Sequence, residues 1–194
     1  MVGRKMHDNL SEYLKIKLPD IEKNWDKLEK FFVKSNFEKG SILLDEGDIA
    51  TEIYIVISGA LRLWHNDDGR DITMQFFFEN QMVSSFESFY LGEPSGFSIE
   101  SIENTEVLML SKKNFDLIRR LYPSIEPDVT SLICERFIEY RNIFFSQIQY
   151  SPEERYRELE KNEPEILERV PLHFVASFLG ITPVSLSRIR KRKL

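Results

Sequence analysis

Cysteine occurs once in the 194 residues, at Cys134, and histidine three times, at His7, His65 and His173. A single thiol excludes an internal disulfide and any cysteine-rich metal or iron–sulfur centre, and it suits a reducing compartment. The scattered histidines read as structural or exposed side chains rather than haem ligands. Long apolar runs are also missing. Nothing approaches the roughly 18 apolar residues of a membrane span, and the opening MVGRKMHDNLSEYLKIKL holds no continuous apolar core of signal-peptide length. Enzyme signatures are absent as well: there is no nucleophile elbow, no phosphate-cradling glycine loop, no HExxH and no histidine beside Cys134. The expectation is a cytoplasmic protein that is not an enzyme, with no metal, no cofactor and no membrane partner.

Positive charge is scarce except at one place. Lys and Arg number 26 against 32 Asp and Glu, a net charge of -6. Without Arg188, Arg190, Lys191, Arg192 and Lys193 the balance becomes 21 − 32 = −11. The body therefore repels polyanions, and any such partner has to be met at the basic terminus.

What is present suffices for a packed core, since 42% of residues are hydrophobic and 12% aromatic. From residue 8 to about 34, Leu10, Tyr13, Leu14, Leu18, Ile21, Trp25, Leu28, Phe31 and Phe32 recur at helical spacing, with Pro19 splitting the stretch into two short helices. From Phe37 to Leu110 the texture is short β segments, and six of the eight glycines fall there. Ile53–Ile57 is β-branched and aromatic, and Asp67-Asp68-Gly69-Arg70 is a hairpin signal. This pattern predicts an antiparallel barrel or jelly-roll. Ser111 caps a helix over 112–121, and a longer one follows Pro127 with Val129, Leu132, Ile133, Phe137, Tyr140, Phe144 and Ile148 in one stripe. A helix of that length on a small β body calls for a partner surface, and a homodimer seam fits it. The fold class is thus α+β, with flanking helices and a long dimerisation helix at about 127–149.

Ser151-Pro-Glu-Glu154 restarts the chain with a cap, a proline at the first helical position and a capping box. A boundary is placed there, giving units of 1–149 and 150–194. In the second unit Pro171–Leu179 reads as a helix, Gly180 as the turn, and Thr182-Pro183 as the cap of a last helix. Leu186 and Ile189 point inward, while Val184, Ser187, Arg188 and Lys191 share the opposite face beside Ser185. This is a helix-turn-helix for double-stranded DNA. Arg188 is the side chain able to grip guanine O6 and N7 together, a contact of about 1–3 kcal/mol. Thr182, Ser185, Arg190, Lys191, Arg192 and Lys193 suit phosphate oxygens, which position without specifying.

Phe37-x-Lys39-Gly40, Glu46-Gly47-Asp48 and Glu52-x-Tyr54-x-Val56-x-x-Gly59-x-Leu61-Arg62 resemble the cyclic-nucleotide-binding β-roll of the Crp/Fnr family of bacterial regulators. The order β-roll, long helix, helix-turn-helix is similar to that family over nearly the whole chain. The 151–156 and 179–188 stretches look like its compact members from Bacteroidetes-type bacteria. The resemblance implies a homodimer joined through the long helices and reading a near-palindromic site, with RNA polymerase as a further partner. Two departures stand out. No β-hairpin wing follows the last helix, and Pro183 and Val184 fall where cyclic-AMP regulators place base-reading Arg and Glu. The alternative reading is a ligand- or protein-binding signalling module whose DNA-binding unit has degenerated.

Nucleotide binders of the family carry Gly-Glu for the ribose and Arg-Ser or Arg-Thr for the cyclic phosphate. Ser84-Ser85 and Ser95-Gly96 stand at those positions here by spacing. Between Arg70 and Lys112 there is no Lys, Arg or His, against seven acidic residues. A buried phosphate without a cation is costly, so a cyclic nucleotide is not expected. Another small ligand could be lined by Ser84, Ser85, Glu87 and Ser88, or those serines could simply complete local hydrogen bonds.

Overall fold

The computed structural model describes residues 18–192. Two short helices, α1 (Pro19–Lys23) and α2 (Trp25–Leu28), and a 3-10 turn over 29–31 lead into the first strand. Proline opens α1, where its missing N–H costs nothing. The next two amides, of Asp20 and Ile21, donate to Oδ2 of Asp128 at 2.9 and 2.8 Å. The helical reading overran its end. Phe31 and Phe32 fit either period, but Val33 pairs opposite Met109, and that pairing makes 33–37 a strand. The positions of Leu10, Tyr13 and Leu14 lie outside the described residues.

The strands are β1 (Val33–Phe37), β2 (Ile42–Leu44), β3 (Glu52–Ser58), β4 (Leu61–Asp67), β5 (Arg70–Phe77), β6 (Met82–Val83), β7 (Ser98–Ser101) and β8 (Thr105–Ser111). They make two antiparallel sheets, ordered β1-β8-β3-β6 and β2-β7-β4-β5. Val56 and Val107 from the first sheet share one buried cluster with Leu61, Leu63, Phe77 and Ile99 from the second. This is the jelly-roll-like member of the expected pair of architectures. The β4–β5 hairpin turns through Asp68 and Gly69 at φ 51° and 84°, the mirror-image turn that suits strand twist. A helix absent from the sequence reading, α3 (Phe86–Leu91), lies between β6 and β7 and ends on Gly92 at φ 72°.

After β8, Ser111 Oγ accepts the Asn114 amide and caps α4 (Lys112–Leu121). The long helix α5 (Glu126–Gln149) has 24 residues, about 36 Å at 1.5 Å per residue. Four short helices complete the described chain: α6 (Pro152–Asn162), α7 (Pro164–Arg169), α8 (Leu172–Phe178) and α9 (Pro183–Lys191). The capping box at Ser151 forms as expected, with the Glu154 carboxylate accepting the Ser151 amide at 2.8 Å.

Both outer faces of the β-roll are covered. Ile53 and Ile55 face an apolar layer that includes Leu28, Phe115, Ile118 and Val129. On the other sheet Phe76, with Ala60, Phe78 and Ile102 beside it, joins Tyr156, Val175, Leu179 and Leu186 in one buried cluster. The last four helices therefore share a core with the β-roll. On α5, by contrast, Phe137, Phe144 and Ile148 are 71%, 62% and 65% exposed.

Candidate nucleic-acid interface

Helices α8 and α9 follow one another with a bend of 96°, inside the range for helix-turn-helix pairs. Gly180 makes the bend at φ 66°, a left-handed backbone angle that side chains disfavour. The Gly180 amide donates to Ser177 and that of Ile181 to Ala176, which closes the end of α8. Thr182 then caps α9, its hydroxyl accepting the Ser185 amide at 3.2 Å. Val175, Ala176, Leu179 and Leu186 are fully buried between the helices, and Ile189 is half-buried. The sequence cues at Gly180, Thr182 and Pro183 thus do what their chemistry predicts.

That packing leaves one side of α9 in solvent. Thr182, Pro183, Val184, Ser187, Arg188, Arg190, Lys191 and Arg192 are exposed, while Ser185 is half-buried with its hydroxyl 3.0 Å from that of Thr182. Arg188, Arg190 and Lys191 make no ion pair among the described residues. Arg192 lies 3.5 Å from Glu153 of α6. Lys193 lies outside the described residues. The basic side chains cluster in the last turn of α9, where they also suit the negative end of the helix dipole.

The turn is tied back to the long helix by residues that sequence reasoning missed. Arg155 on α6 donates to the carbonyls of Tyr150 and Leu179, each at 2.6 Å, and to that of Gln147 at 3.4 Å. Gln147 Nε2 in turn donates to the Phe178 carbonyl at 3.1 Å. Burial holds the Arg155 guanidinium below its ordinary value. One arginine thus bridges the end of α5 and the end of α8. Nothing in the 151–156 stretch signals this, because the acceptors are backbone carbonyls far apart in sequence.

Of the residues named for a small-molecule site, the three serines are engaged in local hydrogen bonds. Ser84, Ser85 and Ser88 are buried, and Glu87 is exposed on α3. Ser84 donates to the Glu52 carbonyl at 2.8 Å, and Ser88 donates to that of Glu93 while accepting the Ala50 amide at 2.9 Å. Ser85 and Ser95 share a hydrogen bond of 2.9 Å. One space between the β-roll and α5, of about 30 Å³, is lined by Phe77, Met82, Ser84, Phe86, Arg136 and Tyr140 among others. That volume is about one water. Arg136 closes it, donating to the Met82 carbonyl at 2.8 Å with its guanidinium 5.1 Å from the centre of the Phe77 ring. Arg62 of β4 points to the opposite side of its sheet and meets Phe174 of α8, 3.7 Å from its ring centre.

His65 lies 3.0 Å from Glu46 and the His173 ring packs 4.0 Å from that of Phe174. Among the described residues no group of three or more His, Cys, Asp or Glu could hold a metal ion. None of the described helices is by itself long and apolar enough to cross a membrane.

Residues 34–120 match the cyclic nucleotide-binding domain family. A cyclic AMP receptor protein from Thermus thermophilus is 26% identical over 111 residues, 56% of this chain and 50% of that protein, so the chain spans about half the length of this curated relative. Among solved structures, the c-di-GMP responsive global regulator CLP of Xanthomonas campestris superposes with a TM-score of 0.71 at 15% identity, over 87% of this chain and 89% of its own. A protein described as a transcriptional regulator of the Crp/Fnr family, from Eubacterium rectale, gives 0.71 at 18% identity, over 87% and 85%. FixK2 of Bradyrhizobium japonicum gives 0.70 at 15%, over 83% of each chain. Residues 34–120 are thus similar in sequence to a cyclic nucleotide-binding domain, and the described chain shares the fold of these solved regulators.

Proposed function

We propose that this chain is a DNA-binding transcription regulator that works as a homodimer in the cytoplasm. In this reading residues 1–149 form the sensor-like unit with its dimer helix, and 150–194 the reader. The observation that carries it is α9 itself, a capped helix set at 96° to its partner with Ser187, Arg188 and Lys191 bare to solvent. In this reading Arg188 is the side chain that reaches base edges in the major groove. Thr182, Ser185, Arg190, Lys191, Arg192 and Lys193 serve phosphate oxygens. The −11 body keeps contact with DNA to this end of each protomer.

Dimerisation is assigned to α5. Thr130, Cys134, Phe137, Arg141, Phe144 and Ile148 are exposed and spaced alternately by four and three, which is the seam of a two-stranded coiled coil. Two α9 helices would then enter successive major grooves about 34 Å apart, and the site read would be near-palindromic. The β-roll in this reading does not take a cyclic nucleotide, because Ser85 and Ser95 are bonded to each other and the gap beside α5 holds about one water.

Selection of bound duplexes from a random pool is the test. Recovery of a near-palindrome whose affinity falls steeply with salt supports the reading. Recovery of no preferred duplex at low salt overturns it in favour of a signalling module.

A further inference from the structure

We propose that Arg62 and Arg169 are positioning residues for the recognition helix: together they clamp α7 and α8 onto the outer face of the β2-β7-β4-β5 sheet, so that α9 has one orientation relative to the β-roll. The proposal rests on the reading of α9 as the DNA-contacting helix.

The two arginines reach across the contact in opposite directions. Arg62 belongs to β4 between Leu61 and Leu63, so strand alternation sends it outward while the leucines enter the core. It is nonetheless only 1% exposed, because α8 covers it. Its guanidinium lies 3.7 Å from the Phe174 ring centre and 4.8 Å from that of Trp64. Glu100 at 2.5 Å, Asp71 at 3.2 Å and the Thr73 hydroxyl at 3.3 Å accept its protons, while Nε is buried without a partner. A cation in this state depends on the aromatic face laid over it. Arg169, at the end of α7, answers from the other side. It makes paired bonds to Glu103 at 2.7 and 3.1 Å and to Glu79 at 2.8 and 3.0 Å, and it also touches Glu165. The planar guanidinium fork fixes direction as well as distance.

Ser177 of α8 supplies a third anchor on the edge strand β5. Its hydroxyl donates to the Asp71 carbonyl at 2.6 Å and accepts the Thr73 amide at 2.9 Å. None of these contacts uses α9, whose basic face stays open. The clamp orients the reader without hiding it.

Amide exchange in the full-length protein tests this. The Thr73 amide is the reporter, since its acceptor sits on α8. Arg169→Gln is expected to speed exchange at Thr73 and along α8 by about tenfold or more, with Val56 and Val107 in the other sheet within about twofold. Arg169→Lys keeps the charge but loses the fork, and should fall between. Phe174→Leu keeps apolar bulk but uncovers Arg62, and should give the same selective rise. Unchanged exchange at Thr73 in Arg169→Gln and Phe174→Leu overturns the proposal; so does an equal rise throughout the β-roll. A second arm uses the selected duplex with one base pair added between half-sites. Wild type should discriminate by about tenfold and Arg169→Gln by less than about threefold, with single half-site binding unchanged; equal discrimination in both proteins overturns the clamp's role in recognition. The exchange arm involves no DNA, so a failed DNA reading leaves it decisive for the clamp itself.

Discussion

Ser85 and Ser95 are joined by a hydrogen bond of 2.9 Å, and Ser95 also reaches the Phe97 carbonyl at 2.6 Å. By the family resemblance these serines stand where nucleotide binders place a ribose carboxylate and a phosphate arginine. A ligand present at 100 times its Kd stabilises a protein by about 2.7 kcal/mol. Cyclic AMP at about 1 mM should therefore leave the Tm of this protein unmoved, as read by scanning fluorimetry. A clear upward shift would mean that the serine pair yields to the nucleotide.

The exposed stripe on α5 leads to a second expectation. Phe137→Glu with Phe144→Glu places two charges in the seam and buries no fewer groups inside the protomer, because both rings already face solvent. Light scattering should report a mass falling from twice 23.0 kDa to 23.0 kDa, with the β-sheet spectrum retained.

On α9 the exposed cations should separate by role. Arg188→Ala should cost about 1–3 kcal/mol on the selected duplex and far less on an unrelated one. Arg190→Ala should weaken both alike and lower the slope of log K against log salt by about 0.9 per protomer contact. Binding titrations at several salt concentrations distinguish the two.

Acid should loosen the seat of the reader. Burial pushes Glu79 upward, but its bonds to Arg169 and to backbone amides, including that of Gly59, outweigh this and leave it below its ordinary 4.5. A carboxylate with a depressed folded value contributes stability above its unfolded value and loses it as pH falls through the folded one. Urea unfolding should therefore show stability declining below about pH 4.5, with a shallower decline in Glu79→Gln.

Most of the architecture could be read from local signals. Ser111, Ser151, Gly180 and Thr182 each mark a helix end through their own backbone chemistry, and all four act where the chain places them. The strand at Val33 was hidden because Phe31, Phe32 and Val33 suit a helix as well as a strand, and only the distant Met109 decides. Helix α3 was hidden in a stretch read for its serines. The candidate DNA face was legible because charge and apolar periodicity coincide on α9. The fates of Arg62, Arg155 and Arg169 were not, since each depends on distant partners that no spacing rule connects: Phe174 for Arg62, Leu179 for Arg155, Glu79 and Glu103 for Arg169. A strand reading Leu-Arg-Leu-Trp did carry one hint: an outward arginine beside tryptophan invites an aromatic cover.

The shared core of Phe76, Phe78, Val175 and Leu179 bears on how such proteins can be recombined. A chimera that keeps this β-roll and grafts another reader at Ser151 would lose Phe174 and Ser177. The Arg62 charge would then stand open, beside an edge strand with an unmatched amide at Thr73. A transplant that also carries the face of α8 should keep its solubility, and one that carries only α9 should aggregate.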